Sequence, residues 1–134
     1  MRGNVTPLRA RPIVGTEFKT APPEQTDVCK RFDASVTAVE RNDIVCVALA
    51  TLGETPLYGM RLLPIEGTTG WFFYAGEGSD DEDFYQPLLV SDLITLLPEV
   101  WQFLALPPGF QFILDDRGVA DVWRDASLLA HPIG

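Results

Sequence analysis

The feature that most restricts the fold of this chain is a single change of hydrophobic period between Asp43 and Leu104. Before the change, apolar residues come in short dense runs; after it, they recur at helical spacing. Asp43-Ile44-Val45-Cys46-Val47-Ala48-Leu49-Ala50 has strand length and β-branched residues, and predicts a buried strand. Gly53-Glu54-Thr55-Pro56 is turn chemistry. Leu57-Tyr58-Gly59-Met60-Arg61-Leu62-Leu63 reads as a second strand closed by Pro64, residues 66–70 as another turn, and Trp71–Ala75 as a third strand. Three strands on short links predict an antiparallel meander.

From Ser91 the spacing lengthens. Leu93, Leu96, Leu97, Val100, Trp101 and Leu104 form one apolar stripe, with Ser91 placed as N-cap and Asp92 in the first turn, where the helix dipole favours a carboxylate. Pro98 falls inside the stripe. It cannot donate to the helix ladder but suits a first turn, so two helical pieces are expected, over 91–97 and 98–105. Phe110–Leu114 and Val119–Trp123 read as a strand pair joined through Asp115-Asp116-Arg117-Gly118, where Gly118 can take positive φ. The tail, Ser127 to His131, reads as one helical turn or a docking segment. The sum is an α+β fold in the order β-β-β-α-β-β: a mostly antiparallel sheet with a broken helix packed on one face.

A chain of 134 residues fits one domain with a core of its own. The charge is uneven: residues 1–32 hold six Lys/Arg and three Asp/Glu, residues 33–134 four and sixteen, which splits the net −9 into +3 and −12. With prolines at Pro7, Pro12, Pro22 and Pro23 and no sustained periodicity, residues 1–31 read as a basic extended arm containing one short strand at Ile13–Lys19. Residues 32–134 read as the single α+β domain. An acidic body repels nucleic-acid phosphates and anionic membrane surfaces, and its complement is a basic protein or a cation. Acidity for solubility alone is the plain alternative. No apolar stretch approaches the ~18 residues that span a bilayer, and the N-terminus has no apolar signal region, so a cytoplasmic protein is expected.

Five carboxylates, Glu77, Asp80, Asp81, Glu82 and Asp83, fall between the aromatic run Trp71–Tyr74 and the pair Phe84-Tyr85. The spacing is not that of a calcium loop, which needs acids at alternate positions and Gly at the sixth, so no dedicated metal site is expected. Catalytic carboxylates need opposed environments that separate their pKa values, whereas these look uniformly solvated. Cys29 and Cys46 form no C-x-x-C and, with one His at position 131, no common zinc set; reduced thiols are expected. No nucleophile elbow or phosphate loop is present. A non-enzymatic binding protein without cofactor follows, its partner-binding residues being Glu77, Asp80, Asp81, Glu82, Asp83, Phe84 and Tyr85. Carboxylates rimming aromatics suit a Lys/Arg-rich partner. Two rivals stand beside this: a housekeeping or regulatory domain whose pocket, lined by Trp71 or Trp123, takes a small molecule or peptide, and a metal-dependent hydrolase with convergent acids.

Gly70-Trp71, Ala75-Gly76-Glu77, Asp80-Asp81 with Phe84, Pro87-Leu88, Pro98-Glu99-Val100, Leu104 to Gly109, and Asp121 to Asp125 with Ser127-Leu128-Leu129 form a composite pattern over about residues 44–130. It resembles a bacterial family of small α+β proteins, first carried as a domain of unknown function and later grouped among immunity proteins of polymorphic toxin systems. The resemblance implies a protein that neutralises a cognate toxin by binding it. A nuclease is a natural candidate toxin, because its active site must be basic to hold phosphates.

Overall fold

The structure, a computed structural model, describes residues 21–130. The strand expected at Ile13–Lys19 and the side chain of His131 lie outside the described residues. The elements run α1 (Pro23–Arg31), β1 (Ile44–Val47), β2 (Leu57–Arg61), β3 (Thr68–Ala75), β4 (Gln86–Leu89), α2 (Val90–Leu96), β5 (Phe110–Leu114) and β6 (Ala120–Arg124). Short 3-10 segments occupy Leu49–Thr51, Pro98–Phe103 and Ala126–Ala130. The strands make one six-stranded sheet in the order β4-β1-β3-β2-β5-β6. The α+β class, the mostly antiparallel sheet and the helix broken at Pro98 are as the sequence predicts.

The connectivity is not a meander. β1 pairs in parallel with β3, and β2 lies on the far side of β3. The reason is in the link after β1. It stays bonded to β3: Ala48 N–H donates to Phe73 O, and Ala75 N–H donates to Thr51 Oγ, both at 2.9 Å. The chain is thereby carried past the end of β3 and β2 forms beyond it.

Three further local differences have physical causes. Residues 23–31 are helical within the stretch read as an extended arm. Pro23 supplies a preset φ at the first turn, Glu24 sits at the positive end of the helix dipole, and Lys30 and Arg31 sit at the negative end. Val28 and Cys29 join the core, and Gln25 donates from Nε2 to Trp101 O at 2.8 Å. Ser91 is not an N-cap but lies inside α2. Because β4 runs straight into the helix, backbone carbonyls take the capping role: Val90 N–H donates to Asp43 O and Ser91 N–H to Arg41 O. β4 itself was not expected, since Gln86-Pro87-Leu88-Leu89 is a short edge strand without a strong apolar pattern.

Period-two alternation sorts the strands into two faces. Leu57, Gly59 and Arg61 of β2, Trp71, Phe73 and Ala75 of β3, and Phe110, Phe112 and Leu114 of β5 point at the helices and are buried. Against them pack Val28, Leu93, Val100, Phe103 and Leu104. The Phe103 and Phe112 rings stack at 4.3 Å, and Trp71 stacks on Phe73 at 5.4 Å. Gly59 makes this possible, because a Cβ there would collide with the Phe112 ring. Among the described residues Arg61 is the buried charge of the core, at 4% exposure. Its guanidinium donates to the carbonyls of Thr37, Thr69, Leu104 and Leu106, and lies over the Trp71 ring. Among the described residues no helix is long and apolar enough to cross a membrane.

Candidate interaction surface

The acidic segment leaves β3 at Gly76, whose φ of +70° turns the chain off the sheet, and returns at Gln86. Because β1 lies between β3 and β4, the loop must pass β1 to reach the sheet edge. Glu77, Asp80, Asp81, Glu82 and Asp83 are all exposed. Local hydrogen bonds shape the loop. Asp81 N–H donates to Ser79 Oγ at 3.0 Å, Asp83 N–H to Asp81 Oδ1 at 2.9 Å, and Phe84 N–H to Asp81 O at 3.0 Å. Gln86 fastens it from one side, donating from Nε2 to Asp83 O while its Oε1 accepts from Leu49 N–H.

Phe84 and Tyr85 fasten it from the other side. Both are half-buried on the sheet face away from the helices. Tyr85 meets Phe72 edge-on at 4.8 Å, Phe84 lies against Tyr74 at 6.0 Å, and the two meet each other at 4.9 Å. Tyr74 in turn stacks on Tyr58 of β2 at 4.7 Å. Such pairs add to simple area burial, and removal of the Tyr85 hydroxyl from water pushes its pKa up to about 12. The seven sequence-predicted residues are therefore one unit: a carboxylate crest held by an aromatic root.

The carboxylates of that crest do not converge. Among the described residues no group of three or more His, Cys, Asp or Glu side chains is placed to hold a metal ion. Cys29 and Cys46 are free thiols, Cys29 buried and Cys46 half-buried, and burial raises both above the ordinary thiol range. A cavity of about 360 Å³ opens at one end of the sheet. Leu57, Ala75, Leu97 and Leu114 line it with Glu54 and Glu99, and neither Trp71 nor Trp123 takes part. Trp71 is wholly buried, Trp101 is half-buried against the core, and Trp123 on β6 is 41% exposed.

Sequence reasoning overlooked the rest of the outer face. Strand register aligns Pro87, Cys46, Phe72, Met60, Gln111 and Trp123 in one row across all six strands. Tyr74, Tyr58, Ile113 and Asp121 form a second row. The signal was available as parity along each strand, but the strand order that makes rows of it was not.

Comparison with known proteins finds a family. The model of the Imm33-like domain fits residues 24–125, from the first turn of α1 to the residue after β6. No curated protein and no solved structure matches the chain. The match takes in every strand among the described residues, α1 from Glu24, α2 and the acidic loop, and so the chain belongs to the Imm33-like domain family, an immunity-protein-like family.

Proposed function

We propose that this chain is an immunity protein of a polymorphic toxin system, a cytoplasmic, non-enzymatic binder that neutralises its cognate toxin by covering it. One observation carries the reading: five exposed carboxylates stand on a loop whose base is pinned to the sheet by Phe84, Tyr85 and Gln86. A merely solvated loop has no need of such anchoring. Fixed charge presented to solvent raises the encounter rate with a basic surface, and the fixed loop loses little further entropy on binding. The toxin face it fits is rich in Lys and Arg, as the phosphate-binding cleft of a nuclease is. Membership in an immunity-protein-like family supports the same reading.

The test is co-expression with a toxin domain captured by this chain from its host or found encoded beside it, scored by host survival and by binding kinetics. The intact chain should rescue growth. The variant Asp80→Lys/Asp81→Lys/Asp83→Lys should lose at least tenfold in association rate at low salt, along with most of the salt dependence. Unchanged affinity and unchanged salt dependence would remove the loop from the interface. A second reading, a regulatory domain that takes a small ligand, has the cavity beside Leu57 and Leu114 in its favour. On that reading the toxin would kill cells whether or not this chain is present.

A further inference from the structure

The loop covers only part of the outer face. Phe84 and Tyr85 lie over Phe72 and Tyr74, on the half of the sheet formed by β4, β1 and β3. On the other half, Tyr58 and Met60 of β2, Gln111 and Ile113 of β5 and Trp123 of β6 are half-buried or exposed. Among the described residues, the buried parts of α1, α2 and the Pro98–Phe103 segment belong to the core on the opposite face. An antiparallel sheet with one solvated face normally alternates apolar with polar residues. Here the solvated side carries Ile beside Tyr, Met and Trp, and the last three are enriched at protein interfaces.

We propose that this open half, centred on Tyr58, Met60, Ile113 and Trp123, is the affinity-determining part of the docking surface, and that its occupant is a basic protein surface presenting apolar side chains among Lys and Arg. This rests on the toxin-binding reading and deepens it. Charge complementarity selects the occupant. The acidic loop reaches the patch through Phe84 against Tyr74 and Tyr74 stacked on Tyr58, Asp121 pairs with Ile113 within it, and the chain carries a net −9. The body of a second copy, residues 33–134, would bring a net −12 against it, so association of one body with another is opposed where a basic surface is drawn in. Crest and patch then have separate tasks: solvated carboxylates set the rate of encounter, and desolvated aromatics set the lifetime of the complex.

The experiment measures association and dissociation rates of the full chain with that same toxin domain, across a salt series. Trp123→Ala and Ile113→Lys are the test variants, each checked for native near-UV circular dichroism. Both residues lie outside the core cluster, so folding should survive. Each should raise the dissociation rate at least tenfold and leave the salt slope of association nearly unchanged. Folded variants that bind as the natural chain does overturn the inference, while loss of binding in the crest variant alone preserves the toxin reading without it. Failure of the natural chain to bind or protect overturns both. Sedimentation of the free chain covers the rival occupant: a dimer that Ile113→Lys dissociates would assign the patch to a second copy and overturn the proposal.

Discussion

Single residues carry unusual weight in this protein, and Arg61 carries the most. It is an inward-pointing charge whose four carbonyl acceptors come from the strand partner β3, from the 33–43 connection and from the turn after Phe103. Burial drags its pKa down to about 10, so it is still a cation at neutral pH. Arg61→Met would leave the carbonyls of Thr37, Thr69 and Leu106 without this donor, whereas Leu104 O keeps its bond from Trp71 Nε1. Loss of about 3 kcal/mol or more is expected in urea unfolding. A loss under about 1 kcal/mol would show that water replaces the guanidinium. Tyr85 contributes to the alkaline limit, with Tyr74, Cys29 and Cys46 shifted by burial in the same direction. Burial pushes the Tyr85 phenol from 10 up to about 12. The folded state therefore holds the proton longer, and the contribution of Tyr85 to stability is complete below pH 10 and is lost as pH rises through 12. Alkaline unfolding of Tyr85→Phe should lack that share of the fall. Identical curves for the two chains would sink the assignment.

At the scale of elements, β2 is decided by a missing side chain. Gly59 is a poor strand residue by propensity, yet it sits opposite Phe73 and Phe112 at the centre of the sheet. The Phe112 ring occupies the space a Cβ would take. Gly59→Ala should therefore destabilise by about 1–3 kcal/mol despite the better propensity. Combining it with Phe112→Leu should recover part of the loss, a coupling that a double-mutant cycle in urea reads directly. Simple additivity would mean that the strain lies elsewhere. The helical region obeys Pro98 as expected: α2 stops at Leu96 and a 3-10 segment begins at the proline. Its start is different. A Ser–Asp pair is a good capping signal, but β4 abuts the helix and two carbonyls from residues 41 and 43 do the capping, which no local window reveals.

For the whole molecule, charge and fold pull in opposite directions. Crowding five carboxylates onto one loop costs stability through self-repulsion, and the aromatic root offsets that cost. The variant Asp80→Lys/Glu82→Lys/Asp83→Lys, which spares the Asp81 carboxylate bonded to Asp83 N–H, replaces three negative with three positive charges, a change of +6 that takes the net −9 to −3. It should be at least as stable as the natural chain at low salt, with the difference shrinking as salt screens it. A clear loss of thermal stability would mean that these carboxylates hold the fold together and are not there for a partner.

The sequence by itself determined the fold class, the break at Pro98, the β5–β6 hairpin with Gly118 at positive φ, and the acidic loop with its aromatic flank. Each of these is a local matter, settled by period, proline, glycine or charge within a few residues. Tertiary structure decided that β1 runs parallel to β3, that Arg61 is clamped in the core and that Trp123 faces solvent while Trp71 is buried. It also brought Tyr58, Met60, Ile113 and Trp123 together beside the crest. The physical reason is that alternation tells each strand which of its sides are apolar but not which strands lie beside it. Strand order is settled by the packing of the whole core, and a surface that spans several strands exists only once that order is set.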